Sequence, residues 1–315
     1  MMSGHEKNQT RHKKRRFYLI AYLLPALLIY TIFMAAPILM SLRTSLYEWS
    51  GVGEKTFVGF ANYIKLFTEN TYSQRFFNAL GNNIVMFVFM MLLQNIYGLV
   101  LAVLLTRGLR GTQFFRTIFF APVTISVVIV GFIWSLIYNP TWGIINAALK
   151  AVGLGQLATS WLGNESTALI CVSIAGAWQS IGLTIMMLVA AIQGISDDIY
   201  ESAKLDGCGE WKLFTKITLP LIAPNIGMVT VLTFIGNFAN SFDLIYAMQG
   251  AIAGPNYSTD VLSTFFYRTA FGAYGSFMPD MGMGATIATV MFAIVAVCVG
   301  IWLYIDGRKR KGDEV

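Results

Sequence analysis

The sequence predicts an all-α membrane protein with six transmembrane helices. Three observations predict it. Hydrophobic residues make up 56% of the 315-residue chain and charged residues only 12%, about half the charge of an ordinary soluble domain. The apolar residues fall in long runs instead of the alternating or amphipathic patterns of soluble folds. Six of these runs, 17–40, 80–105, 117–138, 167–193, 224–247 and 282–305, each reach the roughly 20 residues needed to cross a bilayer at 1.5 Å rise per residue.

Residues 1–16 form a basic leading tail that contains both histidines, His5 and His12. The apolar run that follows is too long for a signal peptide, contains Pro25 and Pro37, and lacks a clear small-residue cleavage site, so it reads as a retained span. Between spans one and two, residues 41–79 carry an aromatic stretch from Phe57 to Phe67 suited to the membrane surface. Residues 139–166 open on the turn signal Asn139-Pro140-Thr141-Trp142-Gly143, followed by a short helix from Ile144 to Val152. Residues 248–281 are rich in glycine and tyrosine, and 306–315 form a second polar tail. None of these loops is large enough to be an independent domain. Cys171, Cys208 and Cys298 lie far apart with no disulfide or metal spacing.

Orientation follows from the lysines and arginines. With the leading tail inside, sixteen of the 22 fall on inner segments, which places both termini and residues 195–224 in the cytoplasm. The net charge of +6 is then topological, and nucleic-acid binding is not implied.

Only Asp243, towards the outer end of the fifth span, is ionisable within a span. Rows of intramembrane acids or arginines, the usual marks of ion coupling or voltage sensing, are absent. The chain has no phosphate-binding G-x-x-x-x-G-K-[ST] loop, so it binds no ATP of its own in that manner, and no catalytic or metal-ligating constellation assembles from its residues. What the spans carry is neutral polarity. Thr233, Asn237, Asn240 and Ser241 share one face of the fifth span by helical spacing. Trp178 and Gln179 sit in mid-fourth span, and Thr124 and Ser126 follow Pro122 in the third. Amides both donate and accept, which suits a hydroxyl-bearing ligand; the same groups also serve as interhelical hydrogen bonds. Trp178 offers a platform for a sugar ring or a packing surface for a neighbouring span.

The densest polarity lies at 195–224. Asp198 and Glu201 have the spacing of a capping box, which predicts a helix from near Ile199 to Leu205. Asp206-Gly207 then forces a bend. A second short helix, from Gly209 or Glu210 to Ile217, puts Trp211, Phe214 and Ile217 on one face, and Pro220 and Pro224 break the chain and start the fifth span. The expected result is a helix–turn–helix across the inner mouth of the bundle, open to a partner.

These residues carry a resemblance. Glu201-Ser202-Ala203, Asp206-Gly207, Phe214, Ile217, Leu219-Pro220 and Pro224 resemble the E-A-A-x-x-x-G signature of binding-protein-dependent ABC importer permeases, with Ser202 and Cys208 where alanine is usual. Gly143 to Asn146, Trp161-Leu162, Gln193-Gly194-Ile195, Asn237-Phe238, Phe242 to Ile245, Gly254-Pro255, Tyr267, Ala270-Phe271 and Gly282 extend it to nearly the whole chain and resemble the maltose/glycerol-phosphate type. The resemblance implies the type I permease fold, with 195–222 as the coupling loop. Its ATPase contacts would be Glu201, Ser202, Ala203, Asp206, Gly207, Phe214, Leu219 and Pro220.

It implies solute contacts at Thr233, Asn237 and Asn240 and near Gly176, Trp178, Gln179, Ser180 and Leu183, with Val123 and Val127 on the third span. The implied partners are a second homologous permease, two ABC ATPase subunits that bind ATP and Mg, and an extracytoplasmic solute-binding protein. The implied solute is a sugar or polyhydroxyl compound. A non-sugar solute such as glycerol phosphate or an amino acid, an ion-coupled secondary transporter, and a non-transport scaffold or membrane enzyme are the rival readings.

Overall fold

A computed structural model describes residues 22–108, 110–273 and 278–313. The tail expected at 1–16 and the start of the first span lie outside the described residues. The first helix, α1 (Tyr22–Thr44), is apolar on every side and buries none of its most hydrophobic window within the chain, as expected of a helix that faces lipid or another subunit. A two-residue hairpin follows, β1 (Tyr47–Glu48) against β2 (Thr56–Phe57), with Tyr47 opposite Phe57. A short helix, α2 (Ala61–Thr68), leads into α3 (Asn70–Thr106). The second span is thus longer than its apolar run, because α3 continues through the polar turns of residues 70–79.

The third span departs most from expectation. It consists of two helices, α4 (Thr112–Phe120) and α5 (Val127–Ile137), bent by 102°. Pro122 lies in a tight turn at Ala121–Thr124, and Ile125 and Ser126 are extended. Proline removes a helical donor, and broken backbone survives at membrane depth only where something else satisfies its polar groups. Here the Gln179 side chain does so, its Nε2 donating to the Ile125 carbonyl at 3.0 Å. Among the described residues, five helices are long and apolar enough to cross a membrane, or six if this broken pair is counted as one span.

After a short helix, α6 (Ile144–Ala151), comes the central helix α7 (Glu165–Gln193), capped by the Asn164 side chain accepting from Ser166 N. Its small residues let neighbours approach closely. A Cβ on Gly182 would stand 2.2 Å from the Phe119 carbonyl oxygen, so only glycine admits the broken segment there. On one side α7 packs Val172 and Ala175 into a core with Met86, Met90, Val130, Leu244 and Ile245. On its later turns Ile185, Leu188 and Val189 meet Ala102, Leu105 and Ile222.

The polar island holds α8 (Asp197–Leu205) and the start of α9 (Glu210–Gln249). Two expectations fail here. The N-cap is Ser196, whose Oγ accepts from Asp198 N, because Asp197 and Asp198 already lie inside the first turn, where the helix dipole favours acids. Pro220 and Pro224 do not break the chain. The helix passes through both, and a wide π-turn at Phe214–Thr218 accommodates the ring and missing donor of Pro220.

The chain ends with α10 (Leu262–Phe271) and α11 (Met281–Asp313). Leu262, Phe265, Met283 and Ile287 join Leu66, Phe76 and Phe238 in a third core. Arg268, read from sequence as one more loop charge, is fully buried and pairs with the equally buried Asp260. Burial pushes the Asp260 carboxyl above the ordinary carboxylate range, despite the Arg268 guanidinium and Thr264 hydroxyl that favour its charged form.

Candidate functional site: a polar cavity and an exposed turn

A cavity of about 410 Å³ lies between α3, α5, α7 and α9. It is lined by Gln179, Thr233, Asn237 and Asn240, and also by Gly176, Ser180, Leu183, Ser241, Val123 and Val127. The broken third span brings Val123 and Val127 to this space. Asp243 is the only ionisable side chain among the described residues that line it.

Trp178 does not line the cavity. One residue from Gln179 on a helix means about 100° of rotation, and the Trp178 ring turns away to pack edge-on against Trp134 at 5.8 Å between centroids. The packing role therefore replaces the sugar platform.

The remaining polar residues are only partly free. Thr233 donates its hydroxyl to Gln94 Oε1 at 2.8 Å. Asn237 Oδ1 accepts from Asn83 Nδ2 at 3.0 Å, and Asn83 Oδ1 accepts from Leu262 N. Gln179 commits an N–H to Ile125 and keeps its oxygen. Asn240 lies exposed in the cavity wall. Gln94 and Asn83 were missed from sequence, although each is an amide in a stretch of α3 that is otherwise largely apolar. Gln94 sits in a π-turn, Leu93–Tyr97, which rotates it from its regular helical position.

At the far end of α7, residues 195–218 form a second polar region. The bend at Gly207 is a Schellman turn: Gly207 has φ +75, Gly207 N donates to Lys204 O, and Cys208 N donates to Ala203 O. Of the residues expected to contact a partner, Glu201, Ser202, Asp206 and Pro220 are exposed, Phe214 and Leu219 half-buried, and Ala203 buried. Ser202 turns its hydroxyl back to Asp198 O. Tyr200 and Thr218 hydroxyls, 3.3 Å apart, tie α8 to α9. Leu205 is 89% exposed and Trp211 75%, large apolar surface on a turn that is otherwise charged. Arg107 pairs with Glu210 at 3.3 Å, in solvent, where such a pair is worth little.

A helical bundle with a polar cavity, a broken span and a capped, solvent-facing turn defines a solute-transport subunit, and the matching family agrees. Residues 75–311 match the model of the binding-protein-dependent transport system inner membrane component, and the chain belongs to that family, with the type I permease fold. Among its relatives is a probable ABC transporter permease, YurN, of Bacillus subtilis (strain 168). It is 38% identical over 276 residues, 87% of this chain and 90% of the relative. The lactose transport system permease LacF of Rhizobium radiobacter is 31% identical, with 96% of this chain and 99% of the relative covered. A solved bacterial alginate ABC transporter, in complex with an alginate pentasaccharide-bound periplasmic protein, contains a chain similar to this one. The TM-score is 0.75 and the identity 25%, with 96% of each chain covered. The chain is accordingly a multi-pass protein of a bacterial or archaeal inner membrane.

Proposed function

We propose that this chain is one permease subunit of an ABC importer that moves a sugar or related polyhydroxyl solute. The solute would be delivered by an extracytoplasmic binding protein. A second homologous permease completes the pathway, and two ATPase subunits bind ATP and Mg. Both termini and the 195–222 loop face the cytoplasm, with 17–305 as the transmembrane domain between tails 1–16 and 306–315.

The observation that carries the reading is the cavity. Its polar groups are neutral amides and hydroxyls, with a single acid, which matches a solute rich in hydroxyls and poor in charge. The lactose relative supports the same solute class, and the alginate transporter, whose periplasmic protein carries the pentasaccharide, supports a saccharide more broadly.

Coupling runs through the 195–218 turn, where Leu205 and Trp211 offer the apolar contacts and Gly207 sets the angle between α8 and α9. The test is Gly207→Pro in the assembled transporter. Proline fixes φ near −65° and removes the N–H that bonds Lys204, so uptake and solute-stimulated ATP hydrolysis should both vanish while the protein still inserts. Normal uptake in that variant would remove the turn from the coupling path. Asn240→Leu should impair uptake without changing basal ATP hydrolysis; unchanged uptake would remove the cavity from the solute path.

A further inference from the structure

Gln94 is 2% exposed, yet it lines the cavity. Its Oε1 receives the Thr233 hydroxyl, which fixes the amide plane. Its Nε2 has no acceptor among the described residues. A buried donor left without a partner is destabilising and rare in folded proteins, so one that borders a cavity marks a place for a ligand. It also sits in a π-turn, a feature that recurs at functional sites.

Asn237, on the neighbouring helix, is arranged alike. Its Oδ1 is taken by Asn83, and its Nδ2 reaches only the Met90 sulfur at 3.9 Å, a weak acceptor. Both amides therefore have their carbonyl ends occupied and their N–H ends without a strong acceptor. Together they present the cavity with two amide N–H groups that lack a strong acceptor.

We propose that Gln94 Nε2 is a solute-binding group, acting with Asn237 Nδ2 to hold an acceptor oxygen of the solute, a sugar hydroxyl or ring oxygen. This rests on the cavity being the sugar path. Thr233 then acts through Gln94 as a positioning residue, because its one proton is already spent on the Gln94 carbonyl. Gln179, across the cavity on α7, keeps a carbonyl oxygen for the solute's own hydroxyl protons.

The experiment uses the complete transporter in proteoliposomes with saturating binding protein, and labelled lactose, maltose and trehalose as probes. Gln94→Met keeps the length and removes both polar ends. It should lower the uptake rate about tenfold, as expected for one buried hydrogen bond. Gln94→Glu separates binding from mere support of Thr233. A protonated carboxyl can still donate to the solute, whereas a carboxylate can only accept, and it would hold the Thr233 hydroxyl equally well. Uptake by Gln94→Glu, relative to the parent at each pH, should therefore fall as pH rises from about 5 to about 8 and the introduced carboxyl loses its proton. Asp243 lines the same cavity in both proteins, so the ratio compares the two with that acid in common.

A flat ratio, or Gln94→Met uptake equal to the parent, would overturn the Gln94 role. If Asn240→Leu impairs uptake in the same preparation, the path itself stands and only Gln94 is lost. A parent complex that takes up none of the three sugars would overturn the sugar reading, and the Gln94 role with it.

Discussion

Replacing Asp260 by asparagine should destabilise this protein by about 3–5 kcal/mol, because it leaves a buried guanidinium without its counter-charge. The magnitude rests on enclosure: the side chains of Asp260 and Arg268 are both 0% exposed, so water cannot replace what is lost. Arg268 Nη1 donates to Oδ1 at 3.2 Å, and Nη2 donates to Oδ2. The Thr264 hydroxyl donates to Oδ1 at 2.6 Å, and the guanidinium lies 4.8 Å from the centroid of the Tyr257 ring. Asparagine keeps the shape and an acceptor but removes the charge.

Even the lower bound corresponds to a change of more than a hundredfold in the folded-to-unfolded ratio, at about 1.4 kcal/mol per tenfold. Unfolding can be followed in detergent with a thiol-reactive dye that reports buried Cys171, after Cys208 and Cys298 are changed to serine. Arg268→Met should cost a similar amount, and Asp260→Leu/Arg268→Met should recover most of it, since an apolar pair leaves no stranded charge. An Asp260→Asn midpoint equal to the parent's would refute the reasoning, because it would mean that the carboxyl is already protonated in the fold.

Three further outcomes are expected. Gly182→Ala should destabilise by about 1–3 kcal/mol in the same assay, since its Cβ would meet the Phe119 carbonyl; no change would show that α4 can retreat freely. Gln179→Leu should cost about 1–3 kcal/mol by stranding the Ile125 carbonyl, and a neutral result would mean that water takes the place of the amide. Ser196→Ala should cost about 1 kcal/mol locally, seen as faster amide exchange over 197–205; unchanged exchange would show that the cap does not hold α8.

The spans were legible because continuous hydrophobicity is a property of the chain itself. The fourth run agrees with α7 to within two residues, and the sixth begins one residue inside α11, although that helix continues to Asp313 through the polar end of the chain. The helix past Pro220 was not legible, because a π-turn is a tertiary accommodation with no residue signature of its own. The 102° break was only hinted at by Pro122; what makes it tolerable is Gln179, 54 positions away. The cavity side chains on α9 were legible by their spacing. For Trp178 the sequence left platform and packing both open, because spacing on a helix does not say which side faces the neighbours; its ring packs on Trp134. Gln94 escaped because its role depends on where its two amide ends point, and only the packing of α3 against α9 decides that.

One feature of α9 has a mechanical meaning. From Glu210 at the exposed turn to Asn240 in the cavity wall the helix is unbroken, thirty residues or ~45 Å at 1.5 Å per residue. A rod of that length needs no relay of side chains to join its ends: a displacement of ~4 Å at Trp211 corresponds to only about 5° of rotation about the cavity. The π-turn at Phe214–Thr218 lies next to the end that would be pushed, so any slack in the lever would be taken up there, leaving the polar face above it to turn as one body.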